Sequence, residues 1–311
     1  MRVFLSAVVA LSLCFVSVRP VAAALTIHGY TPATAGMYDR FDNDPTFIGS
    51  DFDWSGVGRT AGGRWGVFIS PSFVLSAAHY PPTPGDTIRF YASNDPGGAS
   101  ETRLINSNVT ITDTGIGVGS DLLLTRLSSP VAGIATYAIG NPASSLVGEE
   151  LFVWGQSNKA DPFLNTRLGR NEVTEVAPAF SDPELVGTGD IFVYDYNTTS
   201  GLGADEAKVV TGDSGGPSFI VGPDGKLALV GIHWFEYSAD PEIPGSLGGS
   251  GDTLVTSFID ELNTAMSNMG SSERVTVAVP EPSALGLCVV GLCASCFRRR
   301  NRAQALSSIA I

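Results

Sequence analysis

The chain reads as an all-β protein, a sandwich or barrel, with one helix near the end of its folded body. Three observations predict this. Short apolar or alternating segments, rich in β-branched and aromatic residues, recur along the chain. Clusters of Gly, Pro, Asn and Asp separate them, drawn from 36 glycines and 19 prolines in 311 residues. Charged residues make up only 16%, which suits a loop-rich β protein better than a helical bundle.

The expected strands follow one another as RWGVFI at 64–69, FVLSAA at 73–78 and TIRFYA at 87–92. LLLTRL at 122–127, ELFVWG at 150–155 and LALVGIHW at 227–234 complete the series. No internal repeat is visible, and the turn-rich stretch from Ala160 to Asp205 carries no assignment. In LVTSFIDELNTAMSNMG, Phe258, Leu262 and Met266 recur every fourth residue with Ile259 beside them. That spacing gives one apolar helical face, and Gly270 would end the helix.

Both ends look like addresses. Residues 1–24 have a basic start, an apolar middle and a small-residue finish, the pattern of a secretory signal peptide cut after Ala24 or Ala23. At the other end Pro280-Glu281-Pro282 precedes an apolar run from Ala284 to Phe297, then Arg298, Arg299, Arg300 and Arg302. The run is short for a full membrane span, and the arginines favour the cytoplasmic side. These three parts resemble the PEP-CTERM sorting signal of bacterial exported proteins. The resemblance implies an exosortase-type partner, transient membrane insertion of residues 280–302, and an exported protein of the cell envelope or exterior. An ordinary C-terminal anchor is the alternative.

All four cysteines (Cys14, Cys288, Cys293 and Cys296) lie in these two ends. The body therefore has no disulfide framework or cysteine metal site, and must stand on its hydrophobic core. With the six arginines and the one acid of the two ends set aside, the body is strongly acidic, at net −18 against −13 for the whole chain. Nucleic acid and anionic lipid are unsuitable partners for it.

Three short stretches carry chemistry. His79 ends the run FVLSAAH, Asp121 opens the apolar strand DLLLTRLSSPV, and Ser214 sits in GDSGGP. A serine hydroxyl needs a base to take its proton, and the base needs a carboxylate to fix its tautomer and stabilise its charged form. His, Asp and Ser in this order is one known arrangement of that triad. Spaced 42 and 93 residues apart, and joined by VWGQ and GIHW, the motifs resemble those of the chymotrypsin/trypsin family of serine endopeptidases from about Gly56 to Met269.

The resemblance implies two packed Greek-key six-stranded β-barrels with a C-terminal helix, and a protein or peptide substrate with no cofactor or metal. It divides the chain into an N-terminal segment at 25–55, a protease domain at 56–269, a linker at 270–282 and the tail at 280–302. His79 would be general base and acid, Asp121 its orienter and Ser214 the nucleophile. The backbone N–H groups of Gly212 and Ser214 would form the oxyanion hole. Trp234, Phe235, Lys208 and Val209 would line the substrate site, with Val210 beside them. Lys208 stands where trypsin itself carries an acid, so a preference for small or medium apolar residues before the cleaved bond is expected.

His28 is expected at the surface. His233 would either bond Asp121 or line the cleft. Tyr80 replaces a common cysteine, and no IVGG-like segment offers a new N-terminus to Asp213. An internal arginine is therefore the expected partner of that acid, from among Arg59, Arg64, Arg167 and Arg170. The rival reading is a catalytically silent binding or adhesion protein on the same fold.

Overall fold

A computed structural model describes residues 24–197, 201–239 and 246–279. The leader read at 1–24, all but its last residue, and the sorting tail read at 280–302 lie outside the described residues. Chain order begins with β1 (Thr26–Ile27), α1 (Ala35–Tyr38), β2 (Val57–Thr60), β3 (Trp65–Ser70), β4 (Phe73–Ala77) and β5 (Thr87–Tyr91). It continues through β6 (Ser100–Asp113), β7 (Val118–Leu127), β8 (Ala138–Ile139), β9 (Glu150–Gly155), β10 (Arg167–Glu172) and β11 (Glu175–Ser181). It ends with β12 (Thr188–Asn197), β13 (Ala207–Lys208), β14 (Pro217–Val221), β15 (Leu227–Tyr237), β16 (Ser246–Leu254) and α2 (Ile259–Asn268).

The first half closes into a six-stranded barrel in the order β2-β3-β4-β7-β6-β5. The second half runs β10-β9-β14-β15-β16-β12-β11, with β8 pairing in parallel to β15. Six of these strands, β10 to β12 in that order, correspond to the second expected barrel. β11 and β8 are additions at its margins, so the double-barrel expectation holds with a larger second sheet. Each sequence-predicted strand coincides with an observed one.

The two halves share one core. Val67, Leu75, Leu122 and Leu124 of the barrel join Trp154, Phe219, Leu229 and Ile232 of the second sheet, all fully buried. Trp54 sits at this seam, edge-on to Trp154 at 5.0 Å and to Phe219 at 5.6 Å between ring centroids. Leu262 and Met266 of α2 are buried in the same core, with Phe258 in the preceding 3-10 turn. Burying each such side chain contributes about 1.5–3 kcal/mol. The predicted apolar face therefore explains why the helix docks where it does.

Two of the expected segments pack against the body. Within residues 25–55, β1 pairs with β13, and Leu25, Ile27 and Tyr38 are buried with Val153, Phe192 and Val209. The described part of the linker is strapped down. Val277 bridges Ile139, Ala278 is buried, and the Glu273 carboxylate accepts from the Ser70 hydroxyl at 2.6 Å. Apolar residues at alternate positions, such as Val275 and Val277, give this strap its hold on the body.

Candidate active site

His79 follows β4, and Asp121 lies within β7, the strand paired with β4 across the barrel. That pairing brings the two residues together. Asp121 is fully buried. It accepts the His79 backbone N–H at 2.8 Å on Oδ1 and the His79 Nδ1–H at 2.7 Å on Oδ2. Burial pushes the Asp121 carboxyl above its ordinary range, and its bonds to His79 pull it back. With Nδ1 as donor to the carboxylate, Nε2 is left as the acceptor face of a neutral ring.

Ser214 comes from the second half, in the turn between β13 and β14. Gly212 there has φ +102°, outside the range that side-chain-bearing residues favour, and a Cβ on it would collide with Gln156 Nε2. Position 212 thus needs glycine for both its backbone shape and its closeness to a neighbour. Gly215 N–H donates to His233 O at 3.0 Å, and Gly216 N–H to Asp213 O at 2.9 Å. Among the described residues, the N–H groups of Gly212 and Ser214 have no acceptor, and the Ser214 hydroxyl makes no hydrogen bond.

A cavity of about 260 Å³ opens beside Ser214, lined by Leu185, Val209, Val210, Trp234 and Phe235 among others. A β-bulge between His233 and Phe235 leaves Trp234 as the extra residue on β15, and such bulges re-aim side chains. Trp234 is both nearly buried and part of the cavity wall. The Phe235 ring lies against Gly251, where any Cβ would collide with it, and Phe180 stacks on it at 5.2 Å. Of the residues named for the substrate site, Lys208 is not in this lining. Its ladder partner is Thr26, and its ammonium donates to Leu247 O at 2.9 Å instead.

Of its two expected roles, His233 takes the second: it is part of the cavity lining, while its ring bonds Asp252 rather than Asp121. It is buried, with Nδ1 at 2.9 and 3.0 Å from the two oxygens of Asp252 and Nε2 at 2.6 Å from Trp154 O. A carbonyl can only accept, so Nε2 carries a proton, and Nδ1 carries another against the carboxylate. Burial opposes the charged ring, but Asp252 outweighs it and the His233 pKa is raised. Sequence spacing gave no sign of this pair, because Asp252 lies on the glycine-rich β16, which was not assigned. His28 is half-buried rather than at the surface, stacked 4.0 Å from Tyr196 and bonded to Asn197 O.

Asp213 is fully buried beneath Ser214, and burial pushes its carboxyl up to about 6. Its direct partners are backbone groups: Gln156 N–H at 2.7 Å and Val210 N–H at 3.0 Å. None of the four expected arginines bonds it. Arg167 pairs with Asp39, Arg170 with Glu150, and Arg64 donates to Gly62 O. Arg59 acts on Asp213 only by charge, as does His233. Leu25 is the unforeseen neighbour. A Cβ at Gly155 would stand 2.8 Å from Leu25 Cβ and 2.9 Å from Asp213 Cγ, so both flank one backbone position.

Comparison with family models gives a match to Trypsin over residues 49–247. No curated protein matches the chain.

Proposed function

The chain belongs to the trypsin family, and from that premise we propose that it is an exported serine endopeptidase working through His79, Asp121 and Ser214. One observation carries the reading. A buried carboxylate holds the His79 ring through Nδ1, while a glycine turn offers Ser214 with two N–H donors that have no acceptor. Nothing in simple binding requires that combination, so the silent-scaffold alternative has no observation in its favour.

The proposed reaction is acyl transfer through this triad. Ser214 Oγ attacks the scissile carbonyl carbon and gives its proton to His79 Nε2. The carbonyl π pair moves onto oxygen, where the Gly212 and Ser214 N–H groups receive the charge. The C–N bond then breaks, the leaving amine takes the proton from His79, and an acyl-enzyme remains. Water, deprotonated by the same histidine, hydrolyses it. Asp121 stabilises the imidazolium at both stages without taking the proton.

The substrate is a protein or peptide with a small or medium apolar residue before the cleaved bond. Val209, Val210 and Leu185 supply the apolar walls, and Phe235 against Gly251 limits the depth. The leader and tail read from the sequence complete the proposal: export, release after Ala24 or Ala23, and sorting through an exosortase-type enzyme acting on 280–302.

Fluorophosphonate labelling tests the chemistry. The wild type should label at Ser214, and Ser214→Ala should fold normally, fail to label and lose peptide hydrolysis. Failure of the wild type to label or cleave would favour the binding-protein alternative.

A further inference from the structure

Gln156, the residue after β9, is 6% exposed, and three of its four polar groups are engaged. Its N–H donates to Asp213, its C=O accepts the Leu25 N–H at 2.9 Å, and its Oε1 accepts Arg59 Nη2–H at 3.2 Å. The side-chain Nε2 is buried and has no partner.

The orientation of this amide is dictated by its neighbours. A guanidinium can only donate, so the amide oxygen must face Arg59 and the NH₂ must face away. Arg59 cannot yield, because it is buried over the Trp65 ring at 4.3 Å and donates to Asn165 O and to Gly63 O. The NH₂ therefore lies against Gly212, so close that only a glycine fits there. A buried donor left unpaired is unfavourable, and such exceptions call for an explanation. Here it adjoins two further donors without acceptors, the N–H groups of Gly212 and Ser214.

We propose that the Gln156 side-chain amide is a third donor to the oxyanion, a catalytic role resting on the Ser214 reading above. On this proposal one oxygen accepts from both the Gly212 N–H and Nε2, which lies against Gly212. As Ser214 Oγ bonds to the carbonyl carbon and its proton passes to His79, the carbonyl oxygen becomes an alkoxide with three lone pairs. Gly212, Ser214 and Gln156 each donate to one. When the C–N bond breaks the π bond re-forms, and the three donors relax to a neutral carbonyl. Arg59 is the positioning residue that keeps the amide turned the right way.

Gln156→Met removes the donor and keeps the length of the side chain and both backbone hydrogen bonds. Gln156→Glu removes the donor and keeps an acceptor for Arg59, so it covers the case in which the first variant folds poorly. For Gln156→Met, kcat should fall about 10²-fold, the typical cost of one such donor, with KM changed less than about twofold. Gln156→Glu should fall at least as far, because it adds an anion where negative charge develops. A peptide aldehyde, which binds as an oxyanion, should lose affinity by the same factor as kcat. The matching peptide alcohol, which forms no oxyanion, should bind unchanged. Both variants should still label fully at Ser214.

Wild-type kcat and aldehyde affinity in both variants would overturn the role, as would a loss of kcat without a loss of aldehyde affinity. A wild type that neither labels nor cleaves would instead overturn the Ser214 reading and take this role with it.

Discussion

Asp213 shows how one buried group can place opposite demands on folding and on activity. Its pKa is pushed up from 3.8 to about 6 by burial, so between those values the folded chain binds a proton that the unfolded chain has released. Stability from this group is therefore greatest below about pH 4 and declines as pH rises through 6, by about 3 kcal/mol in all. Activity runs the other way, because the ionised carboxylate is the better acceptor for the Gln156 and Val210 N–H groups that shape the nucleophile turn. In Asp213→Asn, chemical denaturation across pH 4–7 should show this segment of the slope removed. An unchanged slope would mean that Asp213 does not titrate there. Gly212→Ala tests the same turn by sterics: strain at positive φ costs about 1–3 kcal/mol, and peptide hydrolysis should fall with it. At this scale the sequence was most legible in short motifs, which anticipated the contact between His79 and Asp121. Gln156 and the His233–Asp252 pair were illegible, since each gains its meaning from residues on other strands.

At the scale of elements, β15 and β16 do two jobs on successive pairs. His233 faces Asp252 in the register, and Phe235 faces Gly251, with Trp234 bulged between them. The first pair braces the turn: His233 O accepts from Gly215, and its N–H donates to Gly216 O at 2.8 Å. His233→Ala leaves Asp252 buried without its cation, and should cost about 3–5 kcal/mol as measured by denaturation. The sign with pH is fixed by the raised pKa. The pair's contribution is complete below the ordinary histidine value of about 6.5 and is lost as pH rises through the higher folded value. The second pair stands at the cavity wall, and on the proposed specificity it limits the depth of the pocket. Phe235→Gly should open the space over Gly251 and move preference toward larger apolar residues, by about 10–200-fold per methylene-sized step at most. A peptide-library cleavage profile reads this directly, and an unchanged profile would remove Phe235 from the specificity site. Most strands that carried apolar runs were predictable, but β12, with IFVY at 191–194, lies in the turn-rich stretch that carries no assignment. β16, with its glycines, and β6, where only Ile105 and Ile111 are buried, gave no periodic signal, because their pairing is decided by neighbours rather than by their own side chains.

Across the whole molecule, the two-barrel plan was readable from three motifs and their spacing, but the place of the N-terminal segment was not. Leu25 and Asp213 are far apart in sequence, and the stretch LTIHG lacks the glycine pattern that would have marked it as an inserting end. In the fold, Leu25 is 1% exposed, its N–H donates to Gln156 O, and Arg167 donates to its carbonyl at 3.1 Å. Its neighbour across Gly155 is the Asp213 carboxyl. If the leader is cut after Ala24, the Leu25 nitrogen becomes an ammonium with three donors and a full charge at this spot. An opposite charge at close range lowers a carboxyl by about 1–3 pKa units, which would bring Asp213 from about 6 back toward its ordinary range. Leader removal would then complete the nucleophile turn without a second cut. Two forms should therefore be compared, one beginning at Leu25 and one retaining Ala23 and Ala24, with both N-termini verified by mass spectrometry. The Leu25 form should remain active to a pH about one unit lower or more. It should also lose less stability between pH 4 and 6, since its Asp213 is already ionised there. Identical pH profiles would show that the ammonium does not engage Asp213, and would leave the Gln156 and Val210 N–H groups as the means by which this fold accommodates the buried acid.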